Sequence, residues 1–219
     1  MDTPDLFTRC LGYLPALLDG ALNTLWVAGV GVGCGFLAGI LLHRLLSSTN
    51  PWFSRPARVY VSIIRGTPVL VQLLVCFYLP SALGVEVPGL LAATIGLSLN
   101  SAAYQSQILG AGFAAIPRGQ IEAARTFNLS RSQTLWHVEV PQVLALTLPA
   151  LVSEMIDVVK ASAVVSVISV TDLMRVGQQL SSSTYRPLEV YSMAALCYLA
   201  LTSLLSLAAW VCQRRLARR

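Results

Sequence analysis

The sequence predicts an all-α polytopic membrane protein with five transmembrane helices. Three observations carry that expectation. The chain of 219 residues is 55% hydrophobic and 11% charged, whereas soluble domains carry about 25% charged residues, and its mean hydropathy is +0.68. Five apolar runs, near residues 20–43, 57–80, 88–115, 142–170 and 188–212, each reach the roughly 20 residues that cross a hydrocarbon core as a helix. The basic residues gather between alternate runs, as they do in chains that weave across a bilayer.

The elements follow in order. Residues 1–19 form an external N-terminal segment; Asp2 and Asp5 precede Arg9, the wrong charge order for a cleavable signal peptide. The first run carries Gly29, Gly31, Gly33, Gly35 and Gly39. Gly31, Gly35 and Gly39 are four apart, so one helix face lacks side chains and admits a close neighbour. The second run is interrupted by Arg65-Gly66-Thr67-Pro68. Pro68 has no N–H and pushes off the carbonyl of Ile64. The third run places Asn100, Tyr104 and Gln107 on one face. The fourth carries Glu154, Asp157 and Lys160 at i, i+3, i+6, with Ser162 and Ser166 beyond. The fifth leads into the basic tail 213–219, with Arg214, Arg215, Arg218 and Arg219. Residues 20–212 are thus the transmembrane domain, interrupted by the polar loop 116–141.

That loop reads as helix, left-handed turn, helix. Asn128 stands where a helix end needs a left-handed residue, and Asn is the usual second choice after Gly. Ser130 and Gln133 form a capping box for the next short helix.

Charge sets the orientation. Arg44, Arg55 and Arg58 follow the first run, Arg118, Arg125 and Arg131 follow the third, and four arginines follow the fifth. Only Arg9, Arg175 and Arg186, together with Glu86, lie on the other side. The positive-inside rule therefore puts the N-terminus outside, and the loop and C-terminus in the cytoplasm.

Composition also excludes. The net charge of +5 is dispersed rather than patched, so no nucleic-acid partner is implied. The cysteines, Cys10, Cys34, Cys76, Cys197 and Cys212, have neither metal-ligand nor disulfide spacing. No metal site follows, and they read as small core residues. His43 and His137 sit at the flanks. A nucleotide-binding P-loop needs a Gly-Lys pair, but the one lysine, Lys160, follows Val159. No catalytic motif of the metalloprotease or serine-hydrolase kind is present. The chain is not expected to be an enzyme and needs no cofactor of its own.

The polar groups of the second, third and fourth runs lie about halfway along them. Ionised groups at mid-bilayer cost about 2.5–3.5 kcal/mol each, and non-helical backbone there is tolerated only in protein or beside a cavity. These groups describe a midplane cavity. Alternatively, Asp157 and Lys160 neutralise each other within their helix, which leaves Glu154 without a partner there. Asn100 and Gln107 can also act as interhelical glue.

The loop resembles the Glu-Ala-Ala loop of membrane subunits in ATP-binding-cassette (ABC) importers. Glu122-Ala123-Ala124 lead to Asn128, where that family has Gly, and nine residues later to Val138-Glu139-Val140-Pro141. From about 57 to 190 the chain is similar to the polar-amino-acid permeases. The matching pieces are Arg65-Gly-Thr-Pro68, Leu70-Val-Gln-Leu73, Gly96-Leu-Ser-Leu-Asn100, Ile116-Pro-Arg-Gly-Gln120, Pro141-Gln142 and Val167-Ile168. The resemblance implies a type I ABC importer permease core, paired with a second permease subunit as homodimer or heterodimer. It further implies a cytoplasmic ABC ATPase dimer that binds ATP and magnesium, an external solute-binding protein, and an amino acid as solute. It implies solute contacts at Gly66, Thr67, Asn100, Tyr104 and Glu154, with Asp157 and Lys160 nearby, and ATPase coupling through Gly119, Glu122, Ala123, Ala124 and Asn128. Where family members often read Glu-Ile-Phe-Arg-Gly-Gly, this chain has Gln107-Ile-Leu-Gly-Ala-Gly112 and lacks a charged pair. Two carboxylates against one lysine tilt the expected solute toward polar or cationic amino acids. The location implied is a bacterial inner membrane. An ion-coupled secondary transporter subunit, with the midplane charges as ion sites, is the alternative; the absence of an internal repeat counts against it.

Overall fold

The computed structural model describes residues 6–216, and among them every regular element is helical. Helix α1, Leu6–Leu46, is followed by α2, Pro51–Gly66, and α3, Val69–Ala82. Helix α4 spans Gly89–Ala114. The polar loop holds α5, Arg118–Thr126, and α6, Arg131–Thr134, with a π turn over Leu135–Glu139. Helix α7, Val140–Ala161, runs into a 3₁₀ segment, Ser162–Ile168. Helices α8, Leu173–Thr184, and α9, Pro187–Leu216, complete the chain.

The glycine stripe does what its spacing predicts. A Cβ on Gly35 would lie 2.7 Å from the Ser101 Cβ, and one on Gly31 3.0 Å from the Leu97 Cβ. Helix α1 therefore rests directly on α4, whereas Gly29 and Gly33 face open space. Around this pair, Val27 and Ala28 of α1, Leu73 of α3, Leu97 of α4, and Val158 and Val159 of α7 close the central core. A second core joins α1 to α8 and α9 through Leu17, Ala21, Leu173, Ala194 and Cys197. A third, with Leu42, Ala57, Val61 and Ala103, seats α2 against α1 and α4. A fourth, with Leu109, Ile116 and Val143, holds the root of the polar loop.

The elements depart from the sequence reading in three places. The first helix begins by Leu6, well before residue 20, and passes through Pro15 without ending. Its early part is apolar enough to pack on α8 and α9, so residues 6–19 are helix rather than a separate segment. The second run is no straight span: α2 and α3 meet at 111° across the Gly66–Val69 break. The fourth run stops being α-helix at Ala161, turns 3₁₀, and reaches a left-handed Ser169 with φ 63°. That stretch is rich in β-branched Val and Ile and in Ser, which lose χ1 freedom in a helix or compete for its backbone. Asp172 then caps an eighth helix that hydropathy alone does not reveal; its side chain accepts from the Arg175 N–H at 2.8 Å. By length and apolarity, α1 and α9 can each cross a membrane, and the bent α2–α3 pair is a third candidate among the described residues. Helices α4 and α7 are not among these candidates.

Candidate functional site

The break between α2 and α3 follows from two residues. Gly66 has no side chain to hold the helix, and Pro68 cannot donate to the Ile64 carbonyl. Thr67 turns extended, with φ −120° and ψ 147°. The freed groups are caught locally. Thr67 Oγ1 donates to the Ile63 carbonyl at 2.9 Å. The Gln72 amide Nε2 lies 2.7 Å from the Ile64 carbonyl, 3.0 Å from the Thr67 carbonyl and 3.0 Å from Thr67 Oγ1. Its other end, Oε1, accepts from Asn100 Nδ2 at 3.0 Å. One amide thus ties the corner to α4. One turn along α4, the Tyr104 ring lies 5.3 Å from the Arg65 guanidinium carbon. Gly66, Thr67, Asn100 and Tyr104 therefore form one constellation, and Gly66 and Thr67 are exposed.

Glu154 belongs to a different one. It is 7% exposed and faces the interior of the bundle. Ser101 Oγ donates to Glu154 Oε1 at 2.8 Å, and Gln105 Nε2 donates to Ser101 Oγ at 2.7 Å and to the Val32 carbonyl at 3.1 Å. This chain of polar groups joins α7, α4 and α1 beside the glycine stripe. Buried carboxylates need such donors, and one serine hydroxyl satisfies one of Glu154's two oxygens. Asp157 and Lys160 pair at 2.7 Å, with side chains 67% and 57% exposed. They stand on the open side of α7, where Lys160 shares a cavity with Thr202, Ser206 and Trp210 of α9. The seven candidate solute residues thus split into a corner, a buried carboxylate and an exposed ion pair.

The polar loop folds as its caps dictate. Asn128 is left-handed, φ 59°. The Asn128 N–H reaches the Arg125 carbonyl at 2.9 Å and the Leu129 N–H reaches the Ala124 carbonyl at 3.0 Å, the paired bonds that close a helix at such a residue. Ser130 and Gln133 exchange both bonds of the capping box. The π turn that follows lets the chain enter Pro141 without the i→i−4 bond that proline cannot make. Gln142 Nε2 donates to Gln120 Oε1 at 2.7 Å, which pins α5 to the base of α7. Ala124 is buried, whereas Gly119, Glu122, Ala123 and Asn128 are exposed. Phe127 stands beside them 83% exposed. The elbow therefore offers a free apolar ring and a free carboxylate on a rigid frame.

Sequence reasoning passed over Gln72, Ser101 and Gln105 as site residues. Gln72 lies inside the stretch Leu70-Val-Gln-Leu73, and Ser101 and Gln105 are spaced i, i+4 beside the glycine stripe. A polar side chain opposite a bare helix face was the available signal. Among the described residues no three His, Cys, Asp or Glu side chains cluster as metal ligands would.

The family model described as binding-protein-dependent transport system inner membrane component matches residues 31–219. The chain belongs to this family. Among relatives in it, the arginine transport system permease protein ArtQ of Bacillus subtilis is 36% identical over 211 residues, covering 96% of each chain. The glutamine transport system permease protein GlnP of Escherichia coli is 34% identical over 209 residues, covering 94% of this chain and 93% of its own. A solved structure, of an amino acid ABC transporter with histidines, superposes with a TM-score of 0.89 at 34% identity. It covers 98% of this chain and 100% of the other. As a member of this transport family, the chain is a multi-pass membrane component.

Proposed function

We propose that this chain is the permease subunit of an ATP-driven importer for polar or cationic amino acids. The observation that carries this reading is the pairing of two devices on one frame. An exposed, rigidly capped elbow stands at one end of the bundle, and a helix corner lined by the polar side chains of Thr67, Gln72, Asn100 and Tyr104 stands along it. The first is suited to grip a cytoplasmic ABC ATPase dimer, which binds ATP and magnesium. The second is suited to contact a solute.

In this reading the chain crosses the bacterial inner membrane five times, with α2 and α3 together forming one bent crossing. The N-terminus is outside, and the elbow and the basic tail are in the cytoplasm. A second permease subunit, identical or related, covers the open side of α7, because an ion pair as exposed as Asp157–Lys160 is costly against acyl chains. An external solute-binding protein delivers the amino acid. Thr67, Asn100 and Tyr104 offer hydroxyl and amide contacts, and Gly66 leaves backbone accessible. Glu154 lies one helix face away, behind Ser101, and acts on solute when the helices shift during the transport cycle. When ATP closes the ATPases, Glu122, Ala123 and Ala124 move with them, and the Gln120–Gln142 bond passes the displacement into α7.

The test is co-purification with the cognate ATPase, followed by ATP hydrolysis measured with binding proteins loaded with different amino acids. Stimulation by a loaded binding protein, lost in Glu122→Arg, is expected. A complex without an ATPase, or solute uptake without nucleotide, refutes the reading. Uptake by Glu154→Gln addresses polarity: unchanged affinity for cationic solutes removes the charge argument.

A further inference from the structure

Toward the end of the bundle that carries α5, a cavity opens between α2 and α4, about one turn along those helices from the corner. On α2, Arg58, Ser62 and Arg65 stand at i, i+4 and i+7; on α4, Asn100, Tyr104 and Gln107 do the same. The Arg65–Tyr104 contact closes the upper part of this facing pair. This cavity measures about 670 Å³ and is bounded on its third side by His43 of α1 and by Ser47 just after it, a size within the roughly 300–1,000 Å³ typical of small-molecule sites.

The chemistry of the lining is one-sided. Its polar side chains include Arg58, His43, Ser47, Ser62 and Gln107, and no carboxylate lines it. Among the described residues the side chains of Arg58, Ser47, Ser62 and Gln107 have no hydrogen-bond or ion-pair partner. The His43 ring is held by stacking on Phe113, with centroids 5.0 Å apart and planes 5° from parallel. Gly110 leaves the edge of that ring open, since a Cβ there would lie 3.4 Å from Nδ1. An arginine with unused donors around it, in a cavity without acidic groups, favours an anion. The cavity lies along the same helix stripes as Asn100 and Tyr104, in line with the corner.

Resting on the functional reading above, we propose that this cavity is a second solute subsite, on the exit side of the Arg65–Tyr104 contact, which takes the carboxylate of the departing amino acid on Arg58. The carboxylate is the anionic group that every amino acid carries, so this subsite has little side-chain selectivity. It holds solute that has passed the corner, and at high cytoplasmic concentration it fills from that side and slows import.

The test uses the assembled complex with its ATPases and second permease, in nanodiscs without nucleotide. Equilibrium binding of radiolabelled L-arginine and L-glutamine is counted per copy of this chain. Two classes of site are expected. Asn100→Ala removes one and leaves the other; Arg58→Gln weakens that other at least tenfold, and Arg58→Lys largely restores it. Acetate displaces label from the second class, and methylammonium does not. A single class in the unmodified complex, with the corner occupied, overturns this proposal and leaves the functional reading standing. No binding at either class overturns both. Equal displacement by methylammonium, or displacement by phosphatidylglycerol in place of acetate, also overturns it. Should Arg58→Gln fail to assemble with the ATPase, Gln107→Leu is the second variant, and an unchanged second class in it counts against the subsite.

Discussion

Replacing Gln72 with Leu is the sharpest probe of the corner. The substitution keeps much of the side-chain bulk and removes every polar contact of the amide. The Ile64 carbonyl, which Pro68 already deprives of its helical donor, loses the group 2.7 Å away. Asn100 loses the acceptor that aims its amide across the gap at 3.0 Å. Hydrogen bonds in membrane proteins average about 0.6 kcal/mol by double-mutant cycles, and orphaning a partner raises the loss toward about 1 kcal/mol each. Thr67 is exposed, so water replaces its share. Two lost contacts then total about 1–2 kcal/mol, which is about a 5- to 30-fold change in an equilibrium constant. If Asn100 is aimed by Gln72, the loss falls on solute affinity. The assay is uptake by reconstituted complex, with KM and kcat separated, in Gln72→Leu, Asn100→Ala and the double variant. The double variant is expected to be scarcely worse than Asn100→Ala alone, because the two residues act through one bond. A KM within twofold of the parent, or single effects that simply add, refutes the idea that this amide positions Asn100.

Gly35→Val places a branched side chain where a Cβ alone sits 2.7 Å from Ser101. It is expected to destabilise the bundle by about 1–3 kcal/mol, read as a lowered unfolding temperature, whereas Gly33→Ala, which faces open space, leaves that temperature unchanged. Asn128→Val puts a β-branched residue at φ 59°; at a cost of about 1–2 kcal/mol it loosens the elbow and lowers solute-stimulated ATP hydrolysis, while Asn128→Gly preserves it. Lys160→Ala leaves Asp157 without the ammonium 2.7 Å away, and yield of assembled complex falls; adding Asp157→Asn restores part of that yield if the pair is a mutual neutralisation.

Much of the architecture was readable because helices in lipid obey strong rules. Gly31, Gly35 and Gly39 announced a close neighbour, and α4 is that neighbour. Pro68 announced a break, although its sharpness depends on Gly66 and on Gln72 filling the gap. Asn128, Ser130 and Gln133 specified the elbow almost bond by bond, since caps are local and need no tertiary context. The candidate site was harder. Asn100 and Ser101 are sequence neighbours, yet on a helix they point about 100° apart. One therefore meets Gln72 at the corner and the other meets Glu154 in the interior. Linear spacing gives the face of each helix but not which helix that face meets. Equal depth along their spans suggested one cavity, and the packing divided it. The break after Ala161 and the capped helix α8 escaped for a related reason: hydropathy treats an apolar 3₁₀ run and an apolar helix alike, and only Asp172 marked the restart.

Helix α1 has 41 residues, and at 1.5 Å per residue it is roughly 60 Å long. It rests on α4 from its middle onward, meets α2 near Leu42, and packs on α8 and α9 through Leu17 and Ala21. A stiff beam of that length, pivoting near its middle, shifts each tip by about 5 Å for a tilt of about 10°. A rigid tilt that moved the arginine-flanked end would move, with reversed sense, the end where Arg9 pairs with Glu189 at 3.1 Å. One continuous helix, Leu6–Leu46, thus links the end of the bundle flanked by arginines to the end where α8 and α9 meet.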